Sequence, residues 1–183
     1  MSKAIIAGGN VTVDESVRFR RPHLVTLGSF VQIDPFVYVS TGLQTGSYVH
    51  IAAHTGIIGG EGGRLQMGNF TNISLGGRII CGSDNFKGDG LIHAPGIPED
   101  MGDSLTVEPV IFDDYVNLGA SVTILPGVHL PTGCVIGAGS LVRKNDHLEE
   151  WTIYAGNPLR KVRERPRDRM IEYGSTLLKT LGT

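Results

Sequence analysis

Aliphatic residues recur every six positions, at Leu27, Ile33, Val39, Ile51 and Ile57, with Thr45 in the one remaining place. A second row runs two places ahead of the first, at Val25, Val31, Val37, Leu43 and Val49, and Thr55 completes it. Both rows return as Phe112, Leu118, Ile124, Leu130, Ile136 and Val142, preceded by Val110, Val116, Val122, Val128, Cys134 and Ser140. A shorter run, Met67, Ile73 and Ile79, lies between. A period of six is neither the 3.6 of a helix nor the simple alternation of an isolated strand, and sustained from 25 to 142 it demands a repeat architecture.

Small or turn-forming residues follow the row at Gly28, Asp34, Gly46, Gly68, Gly119 and Gly137, so each six-residue unit reads as a short strand and a corner. Three units close a triangular coil. Coils stacked about 4.8 Å apart as parallel strands would satisfy one another's backbone hydrogen bonds while the inward rows fill the prism. The 26 glycines fit such a many-cornered fold, being too many for a helical bundle and without a collagen-like triplet. With 183 residues, 40 % of them apolar, the chain suffices for one domain around a continuous core.

Two interruptions break the period. GGEGGR at 59–64 slips the phase and must bulge from a corner. The stretch SDNFKGDGLIHAPGIPEDMGDSLT at 83–106 lacks the period, and an extruded loop of this length inside a compact domain is usually functional. After Val142 comes WTIYAGNPLRKVRER, then helical spacing at Met170, Ile171, Tyr173, Leu177 and Leu178. A helix there is expected to cover the open end of the prism, whose strand edges would otherwise be unpaired.

A formal net charge of −2 gives no reason to expect nucleic acid or an anionic membrane as partner. The exception is residues 160–169, RKVRERPRDR, with six basic and two acidic residues. The apolar stretch in MSKAIIAGGN is too short for a signal peptide and no eighteen apolar residues run together, so a cytoplasmic protein is expected. Cys81 and Cys134 occupy repeat positions that favour a small apolar side chain, and are read as structural.

The run VNLGASVTILPGVHLPTGCVIGAGSLV, followed by YAGNPLRKVR, resembles the C-terminal half of the maltose, galactoside and xenobiotic O-acetyltransferases. These are hexapeptide-repeat acyltransferases, and the resemblance covers roughly residues 25–165. It implies an all-β, left-handed parallel β-helix over 1–159, with the extruded loop at about 83–106, then a basic segment and C-terminal helix over 160–183. The handedness comes from the resemblance, because parallel crossovers are normally right-handed. It further implies acetyl-CoA or another acyl-CoA as co-substrate and a homotrimer with active sites between neighbouring prisms.

Gly119, Ala120, Gly137 and Ala138 match positions whose backbone contacts the pantetheine arm, where small side chains permit close approach. Lys144, Asn157, Arg160 and Lys161 match the region that holds the nucleotide end of CoA. For Arg163, Arg165, Arg167 and Arg169, a solvated face and a phosphate contact stand open alike.

The general-base histidine of the O-acetyltransferases is absent: after Ile79 the sequence is IICGSDNFKGDG, with Asp84 in its place. Similar S-D-D-Y or S-D-N-F loops occur in the branch that acylates amino groups of nucleotide-linked sugars, the anthrose N-acyltransferase type among them. Asp84 is then the candidate base, with His93 of the same loop as the other, and Ser74 the candidate acid that protonates the departing thiolate. A carboxylate accepts a proton from an ammonium far more readily than from an alcohol, which favours N-acylation. Neither cysteine matches a catalytic place, so the acceptor is expected to attack the thioester directly. Ser74 is placed at an outward corner one coil from Asp84.

The expected activity is thus acyl transfer to a small-molecule sugar or nucleotide-sugar acceptor in surface polysaccharide biosynthesis. O-acetylation of a sugar hydroxyl is the alternative. His50 and His54, four apart, raise a carbonic-anhydrase-like zinc site, for which no third histidine has the spacing. A non-catalytic structural β-helix is the remaining alternative, opposed by the long loop.

Overall fold

The computed structural model describes residues 5–182; residues 1–4 of the opening segment and residue 183 lie outside it. Short strands fold into a left-handed parallel β-solenoid of about seven turns. Its first face stacks Ile6–Ala7, Val25–Leu27, Gly42–Thr45, Arg64–Met67, Val110–Phe112 and His129–Leu130. The second runs from Thr12–Val13 through Val31–Ile33, Val49–Ile51, Asn72–Ile73, Asn117–Leu118 and Val135–Ile136 to Thr152–Ala155. Arg18–Phe19, Tyr38–Val39, Gly56–Ile58, Arg78–Ile80, Thr123–Ile124 and Leu141–Val142 make the third.

Register ties the insertions to this frame. Val25 faces Leu43, eighteen residues on, which is one turn. Leu43 faces Leu65, 22 rather than 18 residues on, so the bulge at 59–64 adds four residues at the corner joining third and first faces. Leu65 faces Val110, 45 rather than 18 residues on, and the extra 27 form the extruded loop at the same corner. Both aliphatic rows are buried along their whole length, including Thr45, Thr55 and Ser140. Thr55 and Ser140 satisfy their hydroxyls locally, by donating to Ala52 O and Gly137 O.

The corners carry the strain of this winding. Phe30, Tyr48, Phe70, Tyr115 and Trp151, all at the corner between first and second faces, have φ of 50° to 62°. Left-handed backbone at such residues costs on the order of 1–3 kcal/mol each. Stacking offsets it: Phe30, Tyr48, Phe70 and Tyr115 form a ladder with centroids 4.9, 5.0 and 5.1 Å apart. That interval is the strand spacing itself.

The C-terminal helix α1, Asp168–Thr180, is present but does not cover the end of the prism. It lies along the aromatic ladder, bounding with Phe70 and Tyr115 an apolar hollow lined by Met170, Tyr173, Gly174 and Leu177. Gly174 admits the Tyr115 hydroxyl where any side chain would collide. Instead, Arg160–Glu164 turns back antiparallel on Thr152–Ala155 and becomes the last strand of the second face. Arg165 then takes neither of its two expected roles. Its half-buried guanidinium donates to Tyr115 O at 2.7 Å, Gly133 O at 3.0 Å and Asn117 Oδ1 at 2.6 Å, anchoring the final segment.

Candidate active site

Beyond Ile80 the chain leaves the third face as a hairpin, Gly82–Asp84 pairing antiparallel with Leu105–Val107. Asn85 locks its base, its amide donating to Ser104 O at 3.0 Å and its Oδ1 accepting from Thr106 Oγ1 at 2.5 Å. Further out, Asp103 is 5 % exposed and its Oδ2 accepts the Phe86 amide at 2.5 Å. Leu91 N donates to Met101 O and Asp103 N to Leu91 O, each at 2.8 Å, with the short turn Glu99–Met101 closing between them. The loop is therefore a built structure, and it returns His93 to Asp84: His93 Nδ1 lies 2.6 Å from Asp84 Oδ1. A Cβ on Gly102 would stand 2.8 Å from His93 Nε2, so that residue leaves the room the imidazole takes.

The hairpin separates two hollows. On its N-terminal side, a hollow of about 260 Å³ is floored by Ile58, Gly59 and Gly60 and walled by Asp84, Leu105 and Val107. On the other, a larger one of about 470 Å³ runs from Ser83 and Asn85 over Leu125 and Pro126 to Arg143 and Lys144. Asp84 and Lys144 thus belong to one edge of the prism, the corner between third and first faces.

Ser74 belongs to another edge. It lies in the same turn as the start of the hairpin, at the corner between second and third faces, rather than one coil away. Ten residues are less than a turn of eighteen, and the strand Arg78–Ile80 crosses the third face between the two. The pairings Ile73↔Leu118, Leu118↔Ile136 and Ile136↔Tyr154 bring Ser74, Gly119, Gly137 and Ala155 into one stripe. Ala120 and Ala138 follow beside it. A Cβ on Gly119 would stand 2.5 Å from Ala138 N, so this corner stays shallow by close backbone packing. Ser74 Oγ accepts from Asn72 Nδ2 at 3.1 Å.

Near the C-terminal end, Arg143 donates to Asn157 Oδ1 at 3.1 Å, just beyond the small-residue stripe. Lys144 pairs with Glu108 at 2.5 Å and Lys161 with Glu149 at 2.6 Å. Arg160 forms no ion pair among the described residues. The structure therefore joins Asp84 to His93, and Ser74 to the glycine and alanine corner, but on opposite edges of the third face.

His50 and His54 do not converge. His50 Nε2 bonds Asp34 Oδ2 at 2.8 Å, and His54 stacks on Phe36 with centroids 5.0 Å apart. Burial pushes the Cys81 and Cys134 thiols up to about 12, which keeps both protonated and unreactive near neutrality. One outward row carries no signal in the inward period: Tyr38, Gly56 and Arg78, each one place before an inward residue, align across three strands of the third face.

A hexad solenoid with a small-residue corner and a carboxylate-bearing loop defines a β-helix acyltransferase, and the comparisons agree. No protein-family model matches the chain. AntD, an N-acyltransferase from Bacillus cereus solved with dTDP and 3-hydroxybutyryl-CoA, superposes with a TM-score of 0.87 at 32 % identity, over 98 % of this chain and 93 % of that one. AntD has also been solved with dTDP-4-amino-4,6-dideoxyglucose and CoA in variants that replace one serine, and with dTDP and CoA in variants that replace an aspartate ten positions later. The dTDP-4-amino-4,6-dideoxy-D-glucose acyltransferase of Escherichia coli is 28 % identical over 163 residues, 87 % of this chain and 82 % of its own. WbbJ of Escherichia coli, a candidate O-acetyl transferase of lipopolysaccharide biosynthesis, is 30 % identical over 76 % of this chain and 68 % of its own. The chain belongs to the hexapeptide-repeat acyltransferase family and is an acyltransferase.

Proposed function

We propose that the chain transfers an acyl group from acyl-CoA, with acetyl-CoA the default donor, to the amino group of a nucleotide-linked sugar. The observation that carries this is the Asp84–His93 pair, 2.6 Å apart, with Asp84 in the place that the resemblance to the O-acetyltransferases gives to a general-base histidine. With Oδ1 held by the imidazole, Oδ2 is left to receive an ammonium group in the hollow that Asp84 walls. The pair then takes the proton that leaves the amine, a transfer general bases accelerate on the order of 10²–10⁴-fold.

The hairpin divides the reactants. The larger hollow, reaching Lys144, suits the donor; the smaller one, walled by Asp84, suits the acceptor. The amine nitrogen attacks the thioester carbonyl, the C–S bond breaks, and the departing thiolate takes a proton through Ser74, which regains one from solvent as the Asp84–His93 pair releases the proton it took from the amine. No acyl-enzyme forms, since both thiols are buried and protonated. Ser74 and Asp84 stand ten positions apart, the same interval as the serine and aspartate varied in AntD, which supports both assignments.

Because Ser74 and Asp84 lie on opposite edges of the third face, a complete site takes Asp84, His93 and Lys144 from one chain and Ser74 with the Gly119, Ala120, Gly137 and Ala138 corner from the next. A homotrimer with three such sites follows, Asn157, Arg160 and Lys161 lying toward the nucleotide end of CoA. Among the described residues no helix is long and apolar enough to cross a membrane. Neither nucleic acid nor membrane is a partner in this reading, and the cytoplasm, which supplies acyl-CoA, is its place of action.

The test is thiol release from acetyl-CoA with a panel of nucleotide-linked amino sugars and plain glycosides. Release with amino sugars alone is the expected result. Release only with a hydroxyl acceptor would overturn N-acylation and make the enzyme an O-acetyltransferase.

A further inference from the structure

We infer that the nucleobase of the acceptor is held on the outer surface of the third face, sandwiched between Tyr38 and Arg78 above Gly56. The inference rests on the nucleotide-linked acceptor proposed above. Its starting point is register: Gly56 pairs with Tyr38 on one side and Arg78 on the other, so three consecutive strands present tyrosine, nothing and arginine at the same outward position. A Cβ built on Gly56 meets no atom within 4 Å, so the middle place is open. Tyr38 is 39 % exposed and Arg78 is also exposed.

The dimensions suit a planar ring. Neighbouring strands lie about 4.8 Å apart, so a ring centred over Gly56 stands about 4.8 Å from both flanking side chains. That lies within the range for stacked aromatic rings and for a guanidinium over a ring face. This solenoid already stacks rings at that interval, at 4.9 to 5.1 Å along Phe30, Tyr48, Phe70 and Tyr115. At Gly56 a ladder of the same pitch lacks its middle rung, and a base supplies it.

The slot also points toward the chemistry. Ile58, two residues or about 7 Å further along the strand of Gly56, floors the hollow that Asp84 walls. A ribose and a diphosphate bridge that interval and leave the sugar amine before Asp84. Arg20 lies at the level of Ser40 and Ile58, and Arg18 pairs with Tyr38. Arg18, Arg20 and Arg78 form no ion pair among the described residues, so Arg78 beside the slot, and Arg18 and Arg20 one strand beyond Tyr38 and Ser40, are cations on this face that a diphosphate can reach.

The experiment is calorimetric titration of the whole protein with thymidine diphosphate, and separately with CoA, for the wild type and for Gly56→Leu, Tyr38→Ala and Arg78→Gln. Gly56→Leu fills the slot from a Cβ that meets no atom within 4 Å, and the other two remove its walls should that variant misfold. The expected result is a Kd for thymidine diphosphate raised on the order of tenfold or more in each, consistent with the loss of one base stack, and an unchanged Kd for CoA. Wild-type affinity in Gly56→Leu and Tyr38→Ala overturns the slot. A wild type that binds no nucleoside diphosphate, yet acylates an amino sugar lacking a nucleotide, overturns the slot and the nucleotide part of the acceptor together. A slot confirmed by binding alongside no acylation of any amino sugar leaves the inference standing and removes the reaction.

Discussion

His93 Nδ1 stands 2.6 Å from Asp84 Oδ1, joined across nine residues of a loop that breaks the hexad period. The contact makes the two variants at this site unequal. Asp84→Asn removes the carboxylate that receives the amine and is expected to lower kcat on the order of 10²-fold or more, with the Kd for acyl-CoA unchanged. His93→Gln keeps the carboxylate and loses its partner, with an expected fall on the order of tenfold. Steady-state kinetics beside acyl-CoA titrations checks both. Full turnover in Asp84→Asn would exclude it as base.

Gly133 has φ of +70°, and the indole of Trp151 lies where its side chain would be. The missing side chain lets Trp151 tilt 39° across the gap onto Tyr115, closing the aromatic ladder at the C-terminal end. Gly133→Ala is expected to cost about 1–3 kcal/mol in backbone strain alone, with the displaced indole adding to it. The melting temperature should fall and, since Trp151 is the sole tryptophan, its emission should shift to the red. A variant with native melting and emission would contradict this packing.

The fold was legible because its core is one-dimensional: inward places such as Ile51, Ile73 and Leu118 repeat on a fixed interval, and every one is buried. The two insertions also announced themselves as lost period. What the period could not convey was which corner each residue occupies, since that requires counting hexads through the phase slips. Ser74 therefore reads in the sequence as a coil from Asp84, whereas it lies in the same turn at another corner. The helix position was hidden for a different reason. Met170, Tyr173 and Leu177 of the apolar spacing do face the solenoid, around the contact of Gly174 with Tyr115, but a spacing marks only the helix's own face and not that its partner is the aromatic ladder rather than the open end. At the site, Asp84 and His93 were both visible as residue types, but their pairing depends on loop contacts such as Asp103 to the Phe86 amide, which follow no repeat.

Burial raises the Cys81 and Cys134 thiols to about 12, from an ordinary value near 9. The sign follows from proton counting. Between pH 9 and pH 12 the unfolded thiols ionise while the folded ones stay protonated, so the unfolded state binds fewer protons and stability falls as pH rises. Below pH 9 both states are protonated and the contribution is fully retained. Denaturant unfolding at pH 8 and pH 10 should show the loss, and Cys81→Ala/Cys134→Ala should flatten it. Thiol labelling at pH 8 should proceed only after unfolding; prompt labelling of the native protein would refute the burial of either cysteine.

Asp84 and Ser74 on opposite edges of the third face lead to a complementation experiment. If each site takes Asp84 from one chain and Ser74 from the next, Asp84→Asn chains and Ser74→Ala chains are each deficient alone, but a trimer containing both has intact junctions. Refolding the two in equal amounts makes the intact combination at about a quarter of all sites, half the junctions having a sound Asp84 and half of those a sound Ser74. Turnover in the mixture should therefore rise toward about a quarter of the wild-type rate, with sedimentation giving a mass of three chains. Were both residues drawn from one chain, each protomer would carry one lesion and mixing would restore nothing. A recovery near zero in a mixed trimer would thus return Ser74 and Asp84 to the same chain, and a monomeric mass would remove the shared site altogether.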